Sequence, residues 1–399
     1  MNVFQHGALR VEPGKSARGI LGEVRLPTGS RVEVPYVVFH GAQQGPTLVV
    51  TAASHGFEIV GIGAVIAFMR ALDATALRGT VIVVPVVNPP AVAAALYVSP
   101  MDSVNMSGPL YWDAPGGGTT SHRLGALIGS VLARADFYID LHGNLSPCVP
   151  MSMMFLEQAR DAATRKAAMA LGAAFGVTPV DMSAPPAHPK WLGPMDAFPV
   201  PTAMAHGIPS LMVELVDART LADSERGCRG LFSVLRSLNM LDGSGPDDTD
   251  PARLEGRYGY WGGLESDAAG LMWVKHPVGV PFQAGTLLLE ITDSCGELLQ
   301  EIRSPVDGFC WAYLGTLYGH ATHAIPAGAP VTFTSASARA CFLSREAASS
   351  KWLASCPPAR FRTAMCSKRA PNSYRSATRP MTRPRIWPGG ASCLERIAR

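Results

Sequence analysis

No stretch of this 399-residue chain is apolar for long enough to cross a bilayer. The longest apolar runs, Thr80 to Val87 and Ala91 to Val98, are separated by Asn88, Pro89 and Pro90, which break them. The amino-terminal segment MNVFQHGALRVEPGKSARG has no apolar core of signal-peptide length, so a cytoplasmic location and no membrane partner are expected. The eight cysteines contain no Cys-x-x-Cys pair, which argues against a disulfide framework and for structural thiols in a reducing compartment. Neither a Gly-x-Ser-x-Gly nucleophile elbow nor a phosphate-binding Gly-Lys-Ser/Thr loop occurs. Gly61-Ile-Gly63-Ala-Val-Ile66 follows a strand pattern, but its sixth position is Ile66 and the next acid, Asp73, is too near for a ribose contact. Close helix packing is the expected use of these glycines.

Charge is scarce at 16% of residues, and the net value of +3 hides a division. Residues 335–399 hold 13 Lys/Arg against 2 Asp/Glu, while the rest of the chain holds 21 against 29. The basic stretch is rich in Ser, Pro and Cys and has no sustained apolar period, so residues 334–399 are expected to be a disordered tail. Cys, Trp and Met are mixed through it too freely for a nucleic-acid arm, and no nucleic-acid partner is expected.

What is present centres on Gly45 to Glu58, GPTLVVTAASHGFE. Thr47 to Ala52 reads as a buried strand that runs into a small-residue turn, followed by the long Pro-free apolar run Ile59 to Leu72, a helix pattern. His55 and Glu58 therefore stand at the carboxyl end of a strand, a favoured position for a site in an open α/β sheet. A second apolar strand, Asp136 to Leu141, stops at His142. Zinc sites in hydrolases use three His or carboxylate ligands and leave a position open, and His55, Glu58 and His142 are the candidates for one zinc per chain. Ser210 to Val216 is a third apolar strand with a single acid, Glu214, whose cost amid Leu, Met and Val calls for a pairing, a proton or a metal.

The segments GPTLVVTAASHGFEIVG, LRGTVIVVPVVNPPA, YIDLHGN and GIPSLMVELVD occur in the order and spacing of the succinylglutamate desuccinylase and aspartoacylase family, and the chain resembles that family over roughly residues 20 to 333. The resemblance implies a zinc carboxypeptidase-like hydrolase with zinc ligands at His55, Glu58 and His142 and the catalytic carboxylate at Glu214. It also implies an Asn-Arg dipeptide for substrate binding, which this chain lacks. Asp102 to Gly116 carries Asn105 and no Arg. Asn105, Arg123 and Asn144 are the candidates on the substrate side, with His122 and Arg219 as further basic groups.

Strand and helix patterns alternate, with helices expected at Ile59 to Leu72, Leu124 to Arg134, Glu157 to Phe175 and Asp223 to Leu238 and a hairpin over Gly19 to His40. The fold class is therefore α/β, and the resemblance implies a mixed sheet with helices on both faces. The polar stretch Leu241 to Pro251 reads as a linker, and short strands beyond it suggest a small all-β barrel-like domain. The expected domains are 1–250, a catalytic unit; 251–333, a β domain; and 334–399, the tail. Pro185 to Pro201 is a candidate lid. Function is read as a zinc-dependent amidohydrolase that deacylates a small N-acylated amino acid or related amine, possible homo-oligomer formation included. A carboxypeptidase-like peptidase and a zinc-binding pseudoenzyme stay open as alternatives.

Overall fold

A computed structural model describes residues 2–107, 118–143, 148–182, 199–216, 221–243, 253–256, 258–264, 266–313, 324–325 and 340–345. Asn144, Arg219, most of the expected lid and most of the expected linker lie outside the described residues, as does the tail apart from Ala340–Arg345. All the described residues belong to one unit, Met1–Ala347.

The centre of that unit is a 12-stranded mixed sheet. From one edge it runs Lys15–Arg25, Arg31–His40, Arg78–Val84, Gln43–Ala52, Phe137–Gly143, Ser210–Leu215, Met151–Met154, Thr178–Asp181, Tyr258–Leu264, Ala340–Arg345, Gly308–Tyr313 and Pro281–Phe282. The first two strands form the expected hairpin, antiparallel with Val24 opposite Val32 and a turn closed by Leu26 N–H to Ser30 O at 2.8 Å. The strands that end at the candidate residues are parallel neighbours: Gln43–Ala52 beside Phe137–Gly143, and that strand beside Ser210–Leu215. Their carboxyl ends lie at one rim, which is why residues nearly 160 positions apart can meet.

Alternation sends successive side chains to opposite faces, and each face has its own apolar cluster. Leu48, Val50, Ile139, Leu141, Leu211 and Val213 pack on the helices Ile59–Ala71, Ala162–Phe175 and Leu221–Ser237. Val49, Ile82, Tyr138 and Met212 face Leu124, Ile128 and Val131 of the helix Thr120–Leu132, with Val200 and Ala203 of Pro199–Ala205. The expectation of helices on both faces of a mixed sheet holds. Gly61 lies inside Ile59–Ala71, where an added Cβ would sit 3.1 Å from the Leu141 carbonyl oxygen, so it serves helix-to-strand packing.

Two helices differ from their expected bounds for capping reasons. Thr119 caps Thr120–Leu132 through its side chain, so that helix starts four residues early. The run expected as one helix from Glu157 is a short 3-10 turn, Leu156–Gln158, and then Ala162–Phe175, because Asp161 accepts from Thr164 N–H at 2.8 Å and starts a new helix. Among the described residues no helix is long and apolar enough to cross a membrane.

Beyond residue 253, Leu298–Arg303, Leu287–Thr292, Gly270–Val274 and Ala324–Ile325 form a separate four-stranded sheet around Met272, Leu288, Leu289 and Ile291. Other strands from this part extend the central sheet: Tyr258 pairs in parallel with Val180, and Ala340–Arg345 pairs with both Tyr258–Leu264 and Gly308–Tyr313. At the seam Val149 N–H donates to Trp311 O at 2.9 Å and Trp311 Nε1–H donates to Val149 O at 3.0 Å. Trp311, Phe309 and Tyr258 belong to the same apolar cluster as Val149 and Met151.

Candidate metal centre

The turn that carries His55 is held by hydrogen bonds from one neighbouring segment. Gln43–Ala52 ends in Ala53, whose φ of 58° turns the chain away from the strand. Asn88 caps the short helix Pro89–Ala94 and donates through Nδ2 to Ser54 O at 3.0 Å, and Gly56 N–H donates to Leu96 O at 2.7 Å. A Cβ on Gly56 would fall 1.9 Å from Ala91 O, so only glycine allows the turn to lie this close. Glu58 then occupies the N-cap of Ile59–Ala71 without any side-chain cap hydrogen bond. Its carboxylate is turned to the two histidines instead.

His55 Nδ1 lies 2.6 Å from Glu58 Oε1, and His142 Nδ1 lies 2.9 Å from Glu58 Oε2. One donor atom from each of the three residues falls within 4.8 Å of the others, and all three side chains are buried. The second nitrogen of each ring faces an oxygen acceptor. His55 Nε2 is 3.0 Å from Asn105 Oδ1, and His142 Nε2 is 2.9 Å from Asp140 Oδ2. A proton on each Nε2 leaves both Nδ1 lone pairs aimed at the same carboxylate. Glu58 Oε2 is buried and makes no hydrogen bond of acceptable geometry despite its closeness to His142 Nδ1. Two imidazole lone pairs and an orphaned carboxylate oxygen repel one another unless a cation or a proton lies between them. Neutral imidazole and carboxylate donors with outward ring N–H groups fixed by acceptors suit zinc.

Without a cation a proton takes this role. Burial opposes ionisation of Glu58, but the imidazoles of His55 and His142 outweigh it and bring its pKa down to about 2. Burial likewise opposes a charged His142, but the Asp140 and Glu58 carboxylates drive its pKa well above the usual 6.5. Asp140 is fixed in turn: Tyr138 Oη–H to Thr51 Oγ1 at 2.8 Å and Thr51 Oγ1–H to Asp140 Oδ1 at 2.6 Å form a buried relay behind His142.

Glu214 stands directly opposite His142 in the parallel pairing and opposite Met151 on its other side. Burial, with the Glu58 charge added to it, pushes its carboxyl up to about 8, His142 counteracting in part. A raised pKa means that the folded chain binds a proton that the unfolded chain has released, so stability falls as pH rises from about 4.5 towards 8. The metal-free protein is therefore expected to lose stability across that window, and Glu214→Gln should flatten the loss by up to about 1.4 kcal/mol per pH unit. Urea midpoints of both proteins at pH 5, 6.5 and 8 in the presence of chelator check this, and parallel slopes would refute it.

Of the substrate-side candidates, Asn105 reaches the centre through His55 Nε2. Its loop is tied to the start of Thr120–Leu132 by Asp102, which accepts from Ser121 N–H at 2.7 Å and from Ser121 Oγ–H at 2.8 Å. Arg123 is not brought here. Its guanidinium donates to Arg25 O at 3.3 Å on the edge strand, four strand positions from His142 in the sheet order, or about 19 Å at the usual spacing. Asn144 lies outside the described residues. The sequence reading missed Asp140, Thr51 and Tyr97. Asp140 was detectable, being two residues before His142 and so on the same strand face. Tyr97, whose ring stacks on His55 at 3.8 Å between centroids and 16° between planes, had no local signal.

Residues 44–235 match the Succinylglutamate desuccinylase/Aspartoacylase catalytic domain family, which bears out the resemblance read from the sequence. An N-alpha-acetyl-L-2,4-diaminobutyric acid deacetylase from Halomonas elongata is 30% identical over 186 residues, 45% of this chain and 51% of that protein. The chain thus spans about half the length of this curated relative. A succinylglutamate desuccinylase/aspartoacylase structure from Rhodobacter sphaeroides aligns with a TM-score of 0.66 and 23% identity over 85% of this chain and 99% of the other. A product-bound structure of the ectoine utilization protein EutE (DoeB) from Ruegeria pomeroyi gives a TM-score of 0.66 and 21% identity over 84% and 98%. At these identities the structures speak for the fold.

Proposed function

We propose that this chain, built on a catalytic domain of the succinylglutamate desuccinylase/aspartoacylase type, is a zinc-dependent amidohydrolase that deacylates a small N-acylated amino acid or related amine. The observation that carries the reading is the buried cluster of His55, Glu58 and His142, one donor atom of each within 4.8 Å of the others, with Glu214 on the strand beside His142. When bound, zinc supplies a Lewis acid that polarises an amide carbonyl and lowers the pKa of water.

In this reading His55, Glu58 and His142 hold the ion, and Asn105 and Asp140 keep the two rings in the Nδ1-ligating tautomer. Glu214 takes a proton from the attacking water and returns it to the leaving nitrogen. The deacetylase relative supports an acetyl or similarly small acyl group and an amine-bearing product.

Cytoplasmic location stays part of the proposal, supported by Cys228 and Cys295, which form no disulfide among the described residues. Of the β domain over 251–333, the proposal keeps the four-stranded sheet with its separate cluster around Leu288 and Ile291, since Tyr258–Leu264 and Gly308–Tyr313 belong to the central sheet.

The test is release of free amine from a panel of N-acyl amino acids and N-acyl diamines, with zinc and after chelation. Chelator-sensitive deacylation supports the proposal. Release of carboxyl-terminal residues from peptides favours a peptidase, and zinc uptake with neither activity favours a pseudoenzyme.

A further inference from the structure

The stretch from Leu96 to Ser107 is folded onto one face of His55 and does nothing comparable for His142. Three contacts bring it there. Leu96 O accepts from Gly56 N–H at 2.7 Å. Tyr97 lays its ring on the His55 imidazole at 3.8 Å and 16°, and Phe57 continues the stack at 5.8 Å and 25° from Tyr97. Asn105 Oδ1 receives His55 Nε2 at 3.0 Å, and the same oxygen accepts from Ser107 N–H at 2.8 Å, which fixes the amide's orientation. The face and the edge of the His55 ring are thus held by two side chains of one stretch. His142 is positioned differently, by a carboxylate relay within its own sheet.

We propose that Tyr97 is a positioning residue for His55: by stacking on the imidazole, it holds Nδ1 towards the Glu58 carboxylate and favours the ring in its cation-bound state. The inference rests on the metal reading given above. Its physical basis is that a ring nitrogen bound to a divalent cation makes the imidazole electron-poor, and the face of an electron-rich phenol stabilises such a ring. The stack also fixes the one rotation that Asn105 leaves free, the tilt of the ring about the axis through its edge contact. A ligand so constrained has less conformational freedom to lose when the ion binds.

The test compares Tyr97→Phe, which keeps the stack and drops the hydroxyl, with Tyr97→Leu, which removes the aromatic face. Zinc affinity is measured by competition with a chromophoric chelator, and the visible absorption of the cobalt-loaded protein reports ligand geometry. Tyr97→Leu is expected to bind zinc about 10 to 100-fold more weakly, with a shifted or weakened cobalt band, while the metal-free melting temperature stays close to the wild type. Tyr97→Phe should stay within about threefold of wild type. If Tyr97→Leu does not fold without metal, Tyr97→Met takes its place under the same criteria. A non-aromatic variant with wild-type zinc affinity and an unchanged cobalt band overturns this inference alone. Failure of the wild type to take up zinc or cobalt overturns the metal reading and this inference with it.

Discussion

Glu214→Gln is expected to keep about one zinc per chain while deacylation slows by roughly 10² to 10⁴. Glutamine fills nearly the same volume in the strand Ser210–Leu215 and cannot take a proton from water. Glu214 is not part of the three-residue cluster, so its amide should leave the donor set of His55, Glu58 and His142 intact. Metal content by elemental analysis and turnover on the same preparation separate the two effects. Loss of zinc would make Glu214 a ligand, and unchanged turnover would remove it from the proposed mechanism.

His142→Ala is expected to give the opposite pattern, with zinc binding weakened by at least about 100-fold and activity lost along with it. Two of three donors remain, and Asp140 loses the imidazole that accounts for one of its oxygens. Asp140 then keeps Thr51 as its partner but loses the imidazole charge, so melting temperature should fall as well. Asp140→Asn is the milder companion: the imidazole and its Nδ1 stay, Nε2–H loses its charged acceptor, and zinc binding should weaken by about 10 to 100-fold. Normal zinc content in His142→Ala would dismiss the three-ligand site.

The residues that the sequence revealed share one property: each signal is local. His55 and Glu58 follow a short apolar run, His142 ends another, and Glu214 is one acid in an apolar strand, so each is visible within a window of about ten residues. Their convergence needed only the rule that parallel strands present their carboxyl ends at one rim. Arg123 was drawn in by its charge and chain position, but its helix carries it across the sheet to the Arg25 edge, which no local pattern encodes. Tyr97 and Asn105 depend on a loop closing over a turn through Leu96 and Gly56. The pairing of Tyr258 with Val180 joins segments almost eighty residues apart and leaves no periodic trace.

That pairing and the reciprocal Val149–Trp311 hydrogen bonds bear on how the chain can be handled. The polar stretch after Leu241 invites a cut, by a protease or by a cloning boundary, as if it joined two separable parts. The apolar cluster runs through the seam, with Tyr258, Phe309 and Trp311 on one side and Val149 and Met151 on the other. A single break in the stretch should therefore yield a nicked protein that migrates as two bands in detergent yet elutes as one species under native conditions. Ending the gene there would instead leave an apolar strip bare, and the shortened product should collect in inclusion bodies. Expressed from two cistrons, the halves should find each other and restore zinc uptake, which makes this seam a natural place to split the protein for complementation.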